Sequence, residues 1–413
     1  MLDTNKNYWL YINPHVYCVL KDTQALLYNT HSGEKMEIAD REIITLLQLL
    51  HKKENLGAIY CKGEVLANKP YNDFVVEFCK MDMGNIVDVL QLSEKPIQLM
   101  PVLNLQRDIE KLQKNEERST GEEVLHYLQE VNIYLHTICR RNCSLCSEYF
   151  RQNLCCKKTS ATCSNTLDIS ILQNLLNQIR YGAVGKLNLL GGDVSDYPYY
   201  QELPALLTDF KERVHIWIQY ANVTTNQTIF SDFLYDIPVT FPLDKTAWNR
   251  CLALLKNKQA KYHFYITNVE EYNEAEKLIE ESEIEKYAIH PIYTKENLDF
   301  FEEYVYINKE DIFEARPSFQ RIFAHQKLNT HFFGSLTILP NGDVCANVNN
   351  SVIGNITTDS LLDIINKEML INTAWRKVRD AKPCSECLYQ YLCSSPSNYE
   401  FVIDTPNLCH IQS

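Results

Sequence analysis

The stretch Cys139-Arg-Arg-Asn-Cys143-Ser-Leu-Cys146 places three cysteines on one short loop, directly after a segment with the alternating pattern of a strand. Three thiolates on such a loop can bind three irons of a [4Fe–4S] cube and leave the fourth iron open for a substrate or cofactor. A tetrahedral zinc site would need a fourth protein ligand, which His136, Cys155 or Cys156 could supply. The loop therefore predicts an iron–sulfur cluster, with a zinc site as the alternative.

Strand and helix patterns alternate on both sides of this loop. The predicted strands lie at 131–136, 186–190, 214–220, 238–241, 263–267 and 287–292, and the predicted helices at 167–180, 199–213, 248–257 and 271–281. Repeated β/α units predict a parallel sheet or barrel whose functional end lies at the C-terminal ends of the strands. The three-cysteine loop follows the first of these strands, so it lies at that end.

Length, composition and charge limit the class of protein. The chain has 413 residues, a hydrophobic fraction of 45% and a formal net charge of −13, which are typical of a soluble globular protein of two or three domains. The negative charge argues against a nucleic-acid partner, because such proteins concentrate Lys and Arg. No apolar run is long enough to cross a bilayer, and the N-terminus lacks a signal-peptide pattern. We therefore expect a cytoplasmic protein without a membrane partner, whose cysteines bind metal or act in catalysis rather than form disulfides.

The 15 cysteines divide into two clustered sets and a remainder. The second set lies near the C-terminus and comprises Cys345, Cys384, Cys387, Cys393 and Cys409. Four scattered cysteines have apolar neighbours and are predicted to be small buried side chains: Cys18, Cys61, Cys79 and Cys251. Three others follow the first loop and either line the active site or are free thiols, the second being favoured: Cys155, Cys156 and Cys163.

The remaining patterns predict further domains around the β/α region. Residues 1–100 read as strands followed by helices, with Asp40 as a helix N-cap, which predicts an N-terminal α+β domain of a winged-helix-like kind. Residues 101–129 are polar and predict a linker or surface helix. Asn341-Gly342 between two apolar segments predicts a β-hairpin at the start of a cysteine-rich C-terminal region, 331–413.

The C-x3-C-x2-C loop after the first strand resembles that of the radical SAM superfamily, and Gly191-Gly192-Asp193 after the second strand resembles the Gly-Gly-Glu of that family. This resemblance implies an α/β fold with a partial (β/α)6 radical SAM barrel over residues 130–330. It implies a [4Fe–4S] cluster on Cys139, Cys143 and Cys146 that binds S-adenosylmethionine. Cofactor contacts would come from Gly191, Gly192 and Asp193, and from Leu145, where many members carry an aromatic residue beside the adenine. Asp193 is one methylene shorter than the usual Glu.

The C-terminal region resembles the SPASM extension of radical SAM peptide maturases. The C-x2-C-x5-C triplet of Cys384, Cys387 and Cys393, together with Cys409, matches all four ligands of one auxiliary [4Fe–4S] cluster, and zinc is the alternative. The full extension holds a second auxiliary cluster. Of that ligand set Cys345 is present, whereas Asp359 and Ser397 stand where cysteines are expected. We therefore predict that this second auxiliary cluster is absent or has unusual ligands.

The resemblance implies a radical SAM enzyme that modifies a ribosomally made precursor peptide by hydrogen abstraction. It also implies an electron donor such as a flavodoxin or ferredoxin, and precursor recognition by the N-terminal domain. No residue is assigned as a catalytic acid or base. The alternative is a degenerate, non-catalytic relative that serves as a partner maturase subunit or presents the peptide. A tRNA-modifying enzyme is disfavoured by the charge of −13.

Overall fold

The computed structural model describes residues 3–92, 94–98, 105–114, 125–139, 141, 143–156, 166–225 and 233–411. Two antiparallel three-stranded sheets form its N-terminal part, in the orders β5-β1-β6 and β2-β3-β4. Their strands are β1 (Asn7–Ile12), β2 (Val16–Leu20), β3 (Ala25–Asn29), β4 (Lys35–Ile38), β5 (Ala58–Lys62) and β6 (Gly84–Asp88). Three helices accompany them: α1 (Arg41–His51), α2 (Gly63–Leu66) and α3 (Tyr71–Lys80).

Local sequence accounts for these N-terminal elements. In β1 alternate side chains are buried, as its period of two requires. The carboxylate of Asp40 accepts hydrogen bonds from the backbone N–H groups of Glu42 and Ile43, which confirms the predicted N-cap of α1. Leu10, Leu47 and Phe78 are fully buried in one apolar core. All members of that core lie between residues 8 and 86, so this part of the chain has a core of its own.

A nine-stranded sheet forms the rest of the molecule, in the order β12-β11-β10-β9-β8-β7-β13-β14-β15. Its strands are β7 (Glu130–Tyr134), β8 (Lys186–Leu190), β9 (Val214–Trp217), β10 (Leu234–Thr240), β11 (Ala260–Ile266), β12 (Tyr287–Pro291), β13 (Ser335–Ile338), β14 (Asp343–Cys345) and β15 (Gly354–Asn355). Pairing is parallel from β12 to β13 and antiparallel between β13, β14 and β15. The six predicted strands are therefore neighbours in a mostly parallel sheet.

The helices of this region lie between and after the strands. They are α4 (Leu105–Gln113), α5 (Cys146–Gln152), α6 (Ile169–Ile179), α7 (Leu203–Leu206), α8 (Lys245–Leu255), α9 (Val269–Glu281), α10 (Leu298–Tyr304), α11 (Lys309–Glu314), α12 (Phe319–His325), α13 (Leu361–Ile371) and α14 (Asn398–Ile403). Among the residues that the structure describes, no helix has the length and apolarity needed to span a bilayer.

Two sequence predictions differ most from the structure in extent. The helix predicted over 199–213 is only the short α7 and a 3-10 turn at Thr208–Phe210, because Pro204 fits only the first turn of a helix. The strand predicted from Pro238 begins earlier, at Leu234, and Pro238 lies inside it, paired with His263. Proline is uncommon inside strands because it has no backbone N–H, but β10 accommodates it.

The predicted hairpin forms, and its first strand extends the central sheet. Leu336 of β13 pairs in parallel register with Val131 of β7, and the turn contains Gly342 at a φ of 87°. One apolar core includes Val131, Leu336 and Trp375, so the C-terminal region and the β/α region share a core. The domain boundaries near residues 100, 130 and 330 stay a prediction.

Candidate functional site

The three-cysteine loop leaves the sheet at the end of β7 and enters α5 at Cys146. Two backbone hydrogen bonds join the start of this loop to the end of β8. The N–H of Gly192 donates to the carbonyl oxygen of His136 at 3.2 Å, and the N–H of Asp193 donates to that of Ile138 at 2.8 Å. The Gly191-Gly192-Asp193 segment and the cysteine loop are therefore one structural unit at the C-terminal ends of adjacent strands.

Gly192 is required by this contact. A β-carbon on Gly192 would lie 1.7 Å from the carbonyl oxygen of Ile138 and 2.8 Å from the backbone nitrogen of Cys139, far inside contact distance. At Gly191 the nearest atom to an added β-carbon would be Cδ2 of His136, at 3.1 Å. Sequence reasoning assigned both glycines to the cofactor and missed the packing of Gly192 on the loop that carries the first cysteine.

The three cysteines are half-buried, and Cys139 and Cys146 both act electrostatically on Cys143. The Nδ2 group of Asn222 is 4.0 Å from Sγ of Cys139, and the N–H of Cys146 donates to the carbonyl of Cys143 at 3.3 Å. Burial is the main cause that raises the pKa of the Cys139 and Cys143 thiols, and the neighbouring Cys146 raises it further. Thiols in this environment become thiolates when a metal centre supplies the compensating positive charge.

Arg141 ties the loop to the end of β9. Its guanidinium donates to the carbonyl oxygen of Ala221 at 3.0 Å and to Oδ1 of Asn222 at 3.4 Å. Gln219 lies in the same segment, where its side chain accepts from the N–H of Ala221 and donates to the hydroxyl of Thr240. Both side chains therefore hold the loops around the cysteines in place.

The other predicted cofactor contacts have identifiable local partners. Oδ1 of Asp193 accepts from the N–H of Ser195 at 3.1 Å and from its hydroxyl at 2.6 Å. Leu145 is the N-cap residue of α5 and packs beside Cys143 and Cys156 against a small buried aromatic cluster. Asp193 thus caps the following turn, and Leu145 provides an apolar wall next to the cysteines.

The residues weighed as a fourth zinc ligand lie nearby. His136 is fully buried, its Nδ1 atom accepts the N–H of Ile138 at 3.1 Å, and burial lowers its pKa. Its Nε2 atom has no hydrogen-bond partner among the described residues. The thiols of Cys155 and Cys156 are 3.9 Å apart, and the Cys146 thiol lies 3.7 Å from the carbonyl oxygen of Cys156. Cys163 lies outside the described residues.

The four tail cysteines converge from two segments of the chain onto one cavity. Cys384, Cys387, Cys393 and Cys409 all line it. The N–H of Tyr389 donates to Sγ of Cys387 at 3.4 Å, and Nδ2 of Asn407 donates to Sγ of Cys409 at 3.2 Å. N–H donors aimed at cysteine sulfurs stabilise thiolates bound to an iron–sulfur cluster. The donor set therefore fits a cluster ligated by four cysteines.

Geometry also bears on the zinc alternative at both cysteine sets. Zn–S bonds of about 2.3 Å require four thiolates close around one ion, whereas a four-iron cube holds its thiolates farther apart. Across the described ranges, no three His, Cys, Asp or Glu side chains form a group placed to hold a single metal ion. The four tail cysteines around one cavity suit either a four-iron cube or a zinc ion.

The residues at the ligand positions of the second auxiliary cluster, which is predicted to be absent, make local structural contacts. The hydroxyl of Ser397 donates to Glu400 at 2.5 Å in the capping box of α14, and Oδ2 of Asp359 accepts the N–H of Asn355 at 2.9 Å. Cys345 is buried, with its thiol 3.8 Å from the carbonyl oxygen of Thr337. The absence of this cluster stays a prediction.

A polar cavity that sequence reasoning missed lies against the strands of the sheet. Its volume is about 410 Å³, and its lining includes Asn132 of β7, His290 of β12 and Thr337 of β13. The loop after α5 contributes Asn153, and α14 contributes Asn398. The cavity therefore joins the β/α region to the C-terminal region, beside the segment that carries the first cysteines.

A hydrogen-bonded chain of ionisable side chains runs from this cavity into the sheet. Nε2 of His290 lies 3.0 Å from Nδ1 of His263, and Nε2 of His263 lies 2.7 Å from Oδ1 of Asp236. Oδ2 of Asp236 lies 2.6 Å from Nδ1 of His215. Polar residues inside otherwise apolar strand patterns were the available sequence signal, because such residues are rarely buried without partners.

The charge states of this chain follow from burial and pairing. Burial acts to raise the pKa of Asp236, but hydrogen bonds from His215 and His263 outweigh it and hold that pKa well below its usual range. Burial lowers the pKa of His263 although Asp236 opposes this. Burial, together with His263 and Lys261, lowers the pKa of His290 to about 3. At neutral pH this chain therefore contains the carboxylate of Asp236 and the uncharged imidazoles of His263 and His290.

Comparison with known families identifies one part of the chain. Residues 330–388 match the SPASM family, described as an iron–sulfur cluster-binding domain. This confirms the predicted SPASM resemblance and the expected iron–sulfur cofactor for that segment. The matched segment contains Cys345, Cys384 and Cys387, and Cys393 and Cys409 follow it.

Solved structures with a related outline include SuiB from Streptococcus suis. SuiB bound to its precursor peptide SuiA has a TM-score of 0.47 and 15% identity, covering 98% of this chain and 99% of that one. SuiB bound to S-adenosylmethionine gives 0.47 and 15%, covering 96% and 97%. SuiB alone gives 0.48 and 16%, covering 97% and 100%. A likeness of this degree is too loose to transfer function. No curated protein matches the chain.

Proposed function

We propose that this protein is a radical SAM enzyme that modifies a ribosomally made peptide by hydrogen abstraction. The proposal rests on one observation: the three-cysteine loop after β7 is hydrogen-bonded to, and closely packed on, the Gly191-Gly192-Asp193 segment after β8. The SPASM match over residues 330–388 supports it independently, because this extension resembles that of peptide maturases.

Each part of the site has a task in this proposal. Cys139, Cys143 and Cys146 hold a [4Fe–4S] cluster with one open iron, and the Gly191–Asp193 segment binds S-adenosylmethionine beside it. When bound, the cluster supplies the electron that converts S-adenosylmethionine to a 5′-deoxyadenosyl radical. Gly192 fixes the spacing between the cofactor segment and the loop, since its contact with Ile138 leaves no room for a side chain. Arg141 and Asn222 hold the loop from the side of β9.

The polar cavity is the proposed site for the reacting part of the peptide. Its lining mixes amide, hydroxyl and imidazole groups, such as Asn132, Thr337 and His290, with aromatic side chains, such as Phe150 and Tyr399, which suits a peptide segment with both polar and apolar groups. Its walls come from both regions that carry cysteine sets, through α5 on one side and α14 on the other. The tail cluster then serves the same reaction by electron transfer or by supporting this wall.

The N-terminal region is the proposed site for the leader part of the precursor. Among the described strands, β4 has a neighbour on one side only, so its other edge is available for strand addition. A cleft of about 410 Å³ lies there, lined by Glu37 and Ile38 of β4 and by Lys309, Leu388 and Tyr389. An extended peptide along β4 would be guided toward the C-terminal region.

Co-expression tests the proposed substrate class. The full-length protein and Cys143→Ala would each be co-expressed with short peptides encoded beside its gene, and the peptides analysed by mass spectrometry. We expect a mass change in one peptide that requires Cys143 and survives in the matched control Cys251→Ala, whose cysteine is buried in α8 far along the chain. A peptide that binds tightly but stays unmodified in every case would contradict the proposed activity.

One observation favours the alternative of a non-catalytic partner subunit. Oδ1 of Asp193 is engaged by both the N–H and the hydroxyl of Ser195, so this shorter carboxylate serves the local turn. A chain that binds a peptide and a maturase without cleaving S-adenosylmethionine would fit that arrangement. Pull-down of an intact radical SAM enzyme encoded nearby, with no cleavage by this chain alone, would support the alternative.

A further inference from the structure

Arg379 is a buried cation at the wall of the tail-cysteine cavity. Its side chain is 9% exposed, and its three nitrogens have different partners. Nε donates to the carbonyl oxygen of Ser394 at 2.5 Å, Nη2 donates to Oε1 of Glu400 at 2.6 Å, and Nη1 lies 3.9 Å from Sγ of Cys384. The planar guanidinium is thus held in one orientation, with Nη2 at the carboxylate of Glu400 and Nη1 near the sulfur of Cys384.

Arg379 acts electrostatically on more than one of the cysteines proposed as cluster ligands. Burial dominates the high pKa of the Cys393 thiol, about 12, and Arg379 is the group that acts to lower it. Cys384 and Cys393 in turn raise the pKa of Arg379, with Glu400, against the effect of burial. Among the described residues that line the cavity, Arg379 is the one charged side chain. Lys21 acts on Cys387 from farther out, where its ammonium donates to the carbonyl of Ser385 at 2.8 Å.

A fixed positive charge beside an iron–sulfur cluster favours the reduced state. Reduction adds one negative charge, and the attraction of that charge to a nearby guanidinium is strong where burial limits screening. Hydrogen bonds to cluster sulfurs and the net charge around them are the means by which proteins set the reduction potential. Glu400 opposes the effect because its carboxylate is 8% exposed and partly neutralises the guanidinium.

We propose that Arg379 raises the reduction potential of the tail cluster and that its ion pair with Glu400 sets the size of this effect. The inference rests on the proposed four-cysteine cluster. It assigns the pair a function in electron transfer: the cluster is kept reducible enough to accept an electron from the active site. A purely structural ion pair would stabilise the segment around Ser394 without moving the potential.

A potentiometric titration followed by EPR tests this. The full chain carrying Cys139→Ala, Cys143→Ala and Cys146→Ala is the parent, because it retains only the tail set among the two predicted clusters. After anaerobic reconstitution the parent should bind about four irons. Arg379→Gln should lower the midpoint potential and Glu400→Gln should raise it, each by at least a tenfold change in the reduced-to-oxidised ratio, or about 59 mV for one electron.

Arg376→Gln is the matched control. Arg376 is also partly buried, but its guanidinium donates to the carbonyl oxygen of Met369 and it does not line the cavity. Its potential should equal that of the parent. If Arg379→Gln fails to bind iron, Glu400→Gln and Arg379→Lys, which keeps the charge, decide the matter: a raised potential in the first and a near-parental one in the second support the proposal.

Two results would overturn the inference, and they are distinguishable. Unchanged midpoint potentials in Arg379→Gln and Glu400→Gln, or shifts of the same sign, would show that the ion pair has only a structural function. The proposed tail cluster would still be supported in that case. A parent that binds no iron–sulfur cluster at all, before any change at Arg379, refutes the proposed auxiliary cluster and the inference with it.

Discussion

Gly192 lies backbone to backbone on Ile138, so closely that a β-carbon at position 192 would be 1.7 Å from the carbonyl oxygen of Ile138. The contact joins the end of β8 to the loop that begins with Cys139. Geometry at the first cysteine is therefore set by a glycine far along the chain. We therefore expect the two adjacent glycines at the end of β8 to differ in their tolerance of substitution.

The first prediction concerns these two glycines. Gly192→Ala must move the Ile138 carbonyl or β8, and overpacking of this kind costs about 1–3 kcal/mol in the free energy of unfolding, or more where backbone is hit. We expect a clear fall in melting temperature and a loss of iron from the first site after reconstitution. Gly191→Ala is the matched control, since its nearest contact of 3.1 Å is with a side-chain atom of His136 and needs a shift of a few tenths of an ångström. Equal effects of the two substitutions would contradict the account.

The second prediction concerns iron content. Two four-iron clusters correspond to about eight irons per chain, and three would give about twelve. We expect about eight in the wild type, about four in Cys393→Ser, and no change in Cys345→Ala. A value near twelve, or iron loss in Cys345→Ala, would show that Cys345 helps to hold a third cluster in spite of Ser397 and Asp359.

The third prediction concerns stability in acid. His263 and His290 have folded-state pKa values below the ordinary value of about 6.5, and that of His290 is about 3. Below pH 6.5 these imidazoles bind protons in the unfolded chain but stay neutral in the folded protein. Their contribution to the free energy of unfolding is therefore fully present above pH 6.5 and is lost as the pH falls toward 3. Each such group contributes a slope of about 1.4 kcal/mol per pH unit. The lowered pKa of Asp236 acts in the same direction at lower pH.

Urea unfolding between pH 7 and 5 measures this slope. His290→Gln should reduce the loss of stability per pH unit by the contribution of one such group, about 1.4 kcal/mol. The control His126→Gln replaces an exposed histidine and should leave the slope as in the wild type. An unchanged slope in His290→Gln would mean that His290 is accessible to protons in the folded protein.

Much of this architecture is predictable because it rests on local patterns. Alternation and helical periodicity locate the six parallel strands, Asn341-Gly342 locates the hairpin, and Asp40 the cap of α1. The cysteine spacing predicts both candidate iron sites. The SPASM match confirms the interpretation over 330–388, whereas the ligand roles of individual cysteines stay predictions.

What sequence reasoning missed depends on contacts between distant segments. The pairing of β13 with β7 closes the polar cavity and brings Asn132 beside Thr337, although more than two hundred residues separate them. Asp236, His263 and His290 come into contact only because their strands, β10, β11 and β12, are neighbours in the parallel sheet. Arg379 reaches Glu400 only once the tail has folded back on itself. Periodicity carries no information on such pairings.

The central claim is that the first cysteine loop generates a radical from S-adenosylmethionine. The most direct measurement is chromatographic and mass-spectrometric detection of 5′-deoxyadenosine after anaerobic incubation of the reconstituted protein with S-adenosylmethionine and dithionite. We predict its formation by the wild type and by Cys393→Ser, and its absence in Cys143→Ala. No 5′-deoxyadenosine from wild-type protein with its first cluster loaded would contradict the account and favour the non-catalytic partner.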